Sequence, residues 1–497
     1  MAVELGWIDG LVLVGLLGVA IAIGFITGRK NTTTESYLLG SRSLPWWAIL
    51  GSIVATETST ATVLSLPGVG YGETGMRWLQ IALGFVLGRT IVVMVFLPLY
   101  FDGKLMSAYQ VLEKRLGSKV KSFASLLFLV TRNLGDGLRL YLAGAVLEAV
   151  FHWPFVQCVV VVGSVTILYT FFGGLRSVIW NDCIQFVIYV IGGIAAVAIL
   201  IHLIPGGWSE IWSFAGRTDR SVLFNPEFSL SNPYNLWAGL IGGAVLTIGT
   251  HGTDHMMVQR YLSARSQQDA GRAVFLSSIV VVVQFALFLW IGVQLACFYS
   301  HYPLTDSIKP DKVFAHFIVD HFPKNVGLIG LMLAAILAAA MSTLSSSLSA
   351  SVSALVNDFY VPLKRQPVSD RQLLRVSRWM TVGFGVLQIA VSIWANTLDE
   401  SVINNALKIA GFSAGILLGL FALGIARRRA SQTAVLIGAV AGIVVLVTVS
   451  FILKTPEGAD RVAWPWLALI GSTTTFAVGS LAGFVFPRHA RSSLNSP

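Results

Sequence analysis

Charge is scarce in this sequence: 12% of its 497 residues are Asp, Glu, Lys or Arg, 55% are apolar, and the mean hydropathy is +0.75. Soluble domains carry about 25% charged residues, so that class is excluded. Cysteine is scarcer still. Cys158, Cys183 and Cys297 sit in or beside apolar runs without CxxC spacing, which indicates neither a disulfide framework nor a zinc site and reads them as packing residues. Long polar stretches are also missing. The longest, 205–234 and 300–325, are too short for an appended soluble domain but long enough to form a lid on one face. No nucleotide-binding loop is present, because the glycine pairs fall in apolar runs.

What is abundant is apolar sequence long enough to cross a bilayer, whose core needs about 20 helical residues. Thirteen candidate spans lie near 6–28, 46–70, 75–101, 121–150, 155–174, 178–204, 235–258, 273–299, 326–358, 375–396, 402–425, 433–453 and 463–486. The first opens with Glu4 and Asp9 and is followed by Arg29 and Lys30, the reverse of a cleaved signal peptide. One alternate set of loops, with the C-terminal tail, holds 22 Lys and Arg, and the opposite set holds 8. The positive-inside rule then predicts a multi-pass protein of the plasma (bacterial inner) membrane, N-terminus outside and C-terminus cytoplasmic. The net charge of +10 follows from this topology and from contact with the lipid bilayer, and it carries no nucleic-acid signal.

Polarity inside the spans concentrates in four places. "GSIVATETSTATVLSLPGVGYG" (51–72) and "GLIGGAVLTIGTHGTDHMMVQRYL" (239–262) are rich in Gly and polar residues where helices should run. Corresponding interrupted helices in two halves point to an inverted-repeat transporter. Close helix packing would also account for the glycines, though not for Glu57. In "AAAMSTLSSSLSAS" (338–351), Ser342, Ser345, Ser346, Ser349 and Ser353 form one helical stripe, with Thr343 and Ser347 beside it. The stripe offers neutral oxygens to a sodium ion; the alternative is helix packing and bonding to the helix's own carbonyls. In "LYTFFGGLRSVIWNDCIQFVIYVIGG" (168–193), Asp182 lies within an apolar run, either as a functional carboxylate or as a salt bridge to Arg176.

His251, Asp254 and His255 in "HGTDH" stand at i, i+3, i+4, a spacing that on a continuous helix could hold zinc. Without an HExxH motif, they read instead as polar lining of a broken span.

Together, "YTFFGGLRSVIWNDCIQ", "VQRYL" (258–262), "ATETSTATVLSLPG" (55–68) and "AAAMSTLSSSLSAS" resemble the sodium:solute symporter family, whose members carry sugars, proline, pantothenate, sialic acid and monocarboxylates. The resemblance covers nearly the whole chain. It implies an all-α polytopic fold of 13 transmembrane helices with a leucine-transporter-like core of two inverted five-helix repeats. The boundaries are an extra helix and loop at 1–45, repeats at 46–204 and 235–425 joined by an external loop at 205–234, and two helices and a tail at 426–497. It also implies a first sodium bound by backbone carbonyls of Ala55, Thr58 and Ala339 with the hydroxyls of Ser342 and Thr343. A second sodium would bind Asp182, Ser345 and Ser346.

Candidate substrate residues are Glu57, Ser59, Thr62, Gln80, Arg132, Asp136 and Arg139. The span-four arginine of sialic acid carriers corresponds here to Gly135. Groups of both signs suggest a zwitterionic or carboxylated solute, unless Arg132, Asp136 and Arg139 simply pair with one another. The expected protein is a sodium-coupled symporter acting as a monomer without an organic cofactor. A sugar or sialic acid carrier, a sodium-independent facilitator and a membrane enzyme are the alternatives.

Overall fold

The computed structural model describes residues 6–487 except 305–307, 365, 399, 427–430 and 457. The arginines at 365, 427–429, 488 and 491, which entered the loop count, lie outside the described residues. Helix dominates, and among the described residues the only β-bridges are isolated, Leu44 with Ala264 and Lys454 with Asp460. The three cysteines are free.

The helices that build the bundle are α1 (Trp7–Gly28), α2 (Trp46–Glu57), α3 (Thr60–Tyr71), α4 (Leu79–Ile91), α5 (Ser118–Phe151), α6 (Phe155–Leu203) and α7 (Gly207–Arg217). They continue with α8 (Gly243–Gly252), α9 (His255–Leu262), α10 (Gln267–His301), α11 (Leu328–Ala354), α12 (Asp370–Ala395), α13 (Glu400–Ala426), α14 (Gln432–Val447) and α15 (Pro465–Val485). Among the described residues, eight helices are long and apolar enough to cross a membrane. A ninth span results if Trp46–Glu57 and Thr62–Tyr71, bent by 62°, count as one broken span.

Both interruptions expected from the sequence are present. Helix α2 ends at Thr58 and Ser59, whose ψ angles of 96° and 171° are extended, and α8 ends at Thr253 and Asp254 before α9 begins. A third break divides α6 at Gly174, with φ 56° and ψ −155°. A Cβ at Gly174 would also meet the Tyr37 carbonyl at 2.4 Å, so both conformation and space require glycine. The glycines after Pro67 serve packing: a Cβ at Gly70 would strike the Leu289 carbonyl of α10 at 2.1 Å.

The serine-rich helix α11 lies at the centre. Its most apolar window is 89% buried, against 17% for α1 at the periphery. The whole hydroxyl stripe is therefore enclosed by protein, with Ser342, Ser345, Ser346 and Ser353 fully buried. Helix α1 packs across α11 and α6 and brings a charge with it. Asp9 is fully buried, accepting N–H bonds from Gly330 at 3.1 Å and Asn325 at 3.0 Å. Helix α11 has Gly327 at its N-cap with no side-chain cap of its own, so Asp9 satisfies free N–H groups and complements the positive end of the helix.

Asp9→Ala should therefore lower stability by about 1–2 kcal/mol, the usual worth of a cap. Thermal unfolding of the purified protein measures it, and an unchanged midpoint would mean that water replaces the carboxylate without loss.

Candidate functional site

The break at Thr58–Ser59 faces the middle of α11. Thr343 Oγ1 lies 3.2 Å from the Ala339 carbonyl and 3.5 Å from that of Thr56. Ala55, Thr58, Ala339, Ser342 and Thr343 are all buried. A helix interrupted here frees carbonyl oxygens that would otherwise accept i+4 bonds. Thr58 is fixed by Gln284, whose amide donates to its hydroxyl at 2.6 Å, and that hydroxyl donates to the Val54 carbonyl at 2.8 Å. Thr62 Oγ1 accepts the Ser59 N–H at 3.3 Å, so these two residues cap α3.

Asp182 is completely buried at the adjoining turn of α6. It accepts hydrogen bonds from Ser52 at 2.5 Å, Ser342 at 2.6 Å and Thr56 at 3.3 Å, and pairs with Arg260 of α9 at 3.3 Å. Arg176 is thus not its ion-pair partner. Arg260 also donates to Thr56 at 2.5 Å, to Ser52 at 2.8 Å and to Ser346. It is fully buried, so it does not belong with the loop basic residues counted by the positive-inside rule. The three residues expected at a second sodium are only partly assembled. Ser346 reaches the Asp182 cluster through Arg260 and through Thr56, 3.1 Å away, whereas Ser345 donates to the Ser342 carbonyl at 3.2 Å.

Glu57, at the end of α2, forms an ion pair with the buried Arg89 of α4, which also donates to Ser277 at 2.6 Å. His251 Nε2 stands 3.8 Å from the Glu57 carboxylate. Glu57 is therefore neutralised by protein. On α5, Arg139 bonds Asp136 at 2.5 Å, and Arg132 lies 3.7 Å from Asp136 while also pairing with Asp254 at the α8–α9 break. These three residues pair with one another, with Asp254 as a fourth member that the sequence did not suggest.

The break also removes the zinc-like spacing of "HGTDH". Asp254 caps α9 through the Met256 N–H at 2.8 Å, and His255 Nδ1 accepts the Ala108 N–H at 3.2 Å. His251 Nδ1 bonds the Thr250 and Thr247 hydroxyls at 3.1 and 3.4 Å, so the three side chains have separate partners. Gln80 stands apart from the other candidates too. Its amide donates to the Arg77 and Tyr234 carbonyls and accepts the Asn225 N–H, so it anchors the 205–234 connection.

A small cavity lies beside the break, lined by Ser59, Thr60, Asp136, Arg139, Ala339 and Thr343 among others. It unites three substrate candidates with two first-sodium candidates. Glu57, Thr62, Gln80 and Arg132 do not line it. Sequence reasoning missed Arg89 and Arg260 as partners, although arginines within apolar runs signal buried carboxylates.

Known proteins resemble this chain over most of its length. The family model of the sodium:solute symporter family matches residues 37–442. The sodium/sialic acid symporter NanT of Aliivibrio fischeri is 27% identical over 100% of this chain and 96% of its own length. The human sodium-coupled monocarboxylate transporter 1 is 29% identical over 87% of this chain and 72% of its own. A substrate-bound, outward-open Na+-coupled sialic acid symporter superposes with a TM-score of 0.87 at 26% identity, covering 97% and 98% of the two chains. A nucleobase-cation-symport-1 family transporter, at 13% identity and TM-score 0.60, shares the fold alone. With a family match spanning most of the sequence, the chain belongs to the sodium:solute symporter family.

Proposed function

We propose that this chain is a secondary symporter that uses sodium to import a small carboxylate-bearing solute by alternating access. The observation that carries this reading is the meeting of Arg139 and Asp136 with the helix break and the Ala339–Thr343 turn, around a cavity of about 10 Å³ that has room for one water, so that admitting a solute requires the site to open. Arg139 is the exposed member of its pair, with 43% of its side chain accessible against 1% for Asp136, so it is the guanidinium available to a solute carboxylate. The two carried classes named for the relatives, sialic acids and monocarboxylates, share that group. A sialic-acid-type carrier is therefore one form of this reading. Glu57, whose carboxylate Arg89 neutralises, is not counted as a partner for a solute ammonium.

The proposed architecture has thirteen spans around two inverted five-helix repeats, with α6 counted as two spans about Gly174, α2–α3 and α8–α9 as broken spans, and α5 and α13 included. The N-terminus is proposed outside the plasma membrane.

The proposed sodium site is the Ala55, Thr58 and Ala339 carbonyls with the Ser342 and Thr343 hydroxyls. Ser342 donates its proton to Asp182, which directs its oxygen lone pairs away from that carboxylate. Asp182 is thus a positioning residue for the ion. Asp182 and Arg260 already balance each other, so a second ion at Asp182, Ser345 and Ser346 would add an uncompensated buried charge. The proposed stoichiometry is one sodium.

A thermal-shift screen of monocarboxylates, amino acids, sugars and sialic acid, each in sodium and in potassium, tests substrate and coupling together. A carboxylate should stabilise the protein in sodium only, by about 2.7 kcal/mol at a hundredfold excess over its Kd. Arg139→Gln should remove that shift. Equal shifts in both salts would favour a facilitator.

Uptake into proteoliposomes tests the ion site. Ser342→Ala, Thr343→Ala and Asp182→Asn should each raise the half-saturating sodium concentration by about tenfold, equivalent to about 1.4 kcal/mol, while the Hill coefficient of the parent protein stays near one. A coefficient near two that falls in Asp182→Asn would mean that a second ion occupies the Asp182 cluster.

Glu57 is expected to serve its partner first. Glu57→Gln leaves Arg89 buried without a counter-charge and should cost about 3–5 kcal/mol, and Glu57→Gln with Arg89→Gln should be less damaging than the single change. Stability curves for the three variants decide it, since simple additivity would mean that the pair is uncoupled.

A further inference from the structure

Beyond the transport site, a second cluster joins the connection between the two repeats to the core. Helix α7 belongs to the 205–234 connection, and its Trp208 and Trp212 pack on Trp290 of α10 with ring centroids 5.7 and 5.5 Å apart. Trp290, Cys297 and His301 stand at i, i+7, i+11, on one face of α10. Glu210 of α7 therefore meets Cys297 and His301 about two and three turns beyond Trp290. The Cys297 sulfur, a His301 ring nitrogen and a Glu210 oxygen lie within 4.8 Å of one another.

We propose that Glu210, Cys297 and His301 form a binding site for a divalent transition metal of the zinc class, clamping α7 to α10. Thiolate, imidazole and carboxylate are the three ligand types that zinc accepts, and three protein ligands leave a fourth position for water. Zinc–ligand bonds of about 2.0–2.3 Å place neighbouring donors closer together than 4.8 Å, so closure by about an ångström completes the geometry. Such a shift lies within the reach of Glu210 and His301, both partly exposed with Nε2 to Oε1 at 3.6 Å. Cys297 is buried, so the metal approaches from the Glu210 and His301 side and the sulfur closes the floor. One thiolate and one carboxylate neutralise the ion. Arg217, which holds Glu210 Oε1 at 2.7 Å, competes with the metal for that oxygen. The isolated-cysteine expectation for Cys297 came from spacing along the chain, and Glu210 is 87 residues away.

Anaerobic titration of the purified full-length protein with Co(II) tests the site, because thiolate ligation produces a sulfur-to-cobalt charge-transfer band in the near ultraviolet. The parent protein should show that band saturating at one equivalent and discharged by Zn(II). Cys297→Ala should lose it. His301→Ala and Glu210→Gln should retain the thiol but bind at least about tenfold more weakly, whereas Arg217→Gln should bind more tightly because the competitor for Glu210 is gone. His301, Glu210 and Arg217 are partly or largely exposed, so these three variants carry the test even if Cys297→Ala folds poorly. Absence of a saturable band in the parent protein, or unchanged affinity in both His301→Ala and Glu210→Gln, would overturn the proposal. Neither result depends on the transported solute.

Discussion

A charge in the bilayer core costs at least about 2.5–3.5 kcal/mol unless something compensates it, and the centre of this molecule is organised around that penalty. Within the protein interior three arginines pair with four carboxylates: Arg89 with Glu57, Arg260 with Asp182, and Arg132 with Asp254 and Asp136. Glu57–Arg89, Asp182–Arg260 and Arg132–Asp254 each join different helices, and Glu57 and Asp254 stand at the helix breaks themselves. Breaking a helix at membrane depth exposes backbone groups, and these ion pairs fix the surrounding elements so that the exposed groups face protein rather than lipid.

The consequence for an ion is a division of labour. Formal charges are already balanced by neighbours, while the neutral oxygens near Thr58 and along α11 remain oriented but lightly used. Neutral ligands suit a site that must bind and release its ion in every cycle. Asp182 links the two regimes, since its carboxylate holds Arg260 on one oxygen and the Ser342 hydroxyl on the other. Asp9 acts at a different level: it ties the peripheral α1 to the N-terminus of α11 and so stabilises the helix that presents the proposed ion ligands.

Much of this was legible in the sequence because the signals were local. The two broken helices announced themselves through Gly and polar residues inside apolar runs, and the period of Ser342, Ser345, Ser346 and Ser349 fixed their common face before any neighbour was known. Partnerships were not legible. Arg176 stood nearest to Asp182 along the chain, yet Arg260, 78 residues away, holds it. Glu57 looked unpaired because Arg89 lies 32 residues on. For His251, Asp254 and His255 the zinc-like spacing assumes a continuous helix, and the backbone turns at Thr253, as the reading of a broken span expects. Gln80, read as a substrate residue, instead ties down the connection above the bundle through Asn225 and Tyr234.

The central proposal, that sodium binds between the α2–α3 break and the Ala339–Thr343 turn of α11, is tested most directly by amide hydrogen exchange of the purified protein in sodium and in potassium. Carbonyls held by an ion fix the local backbone, so sodium should slow exchange in peptides covering residues 54–62 and 338–346 while leaving α14 and α15 unchanged. Identical exchange of those two segments in the two salts, at sodium concentrations that saturate uptake, would contradict the site.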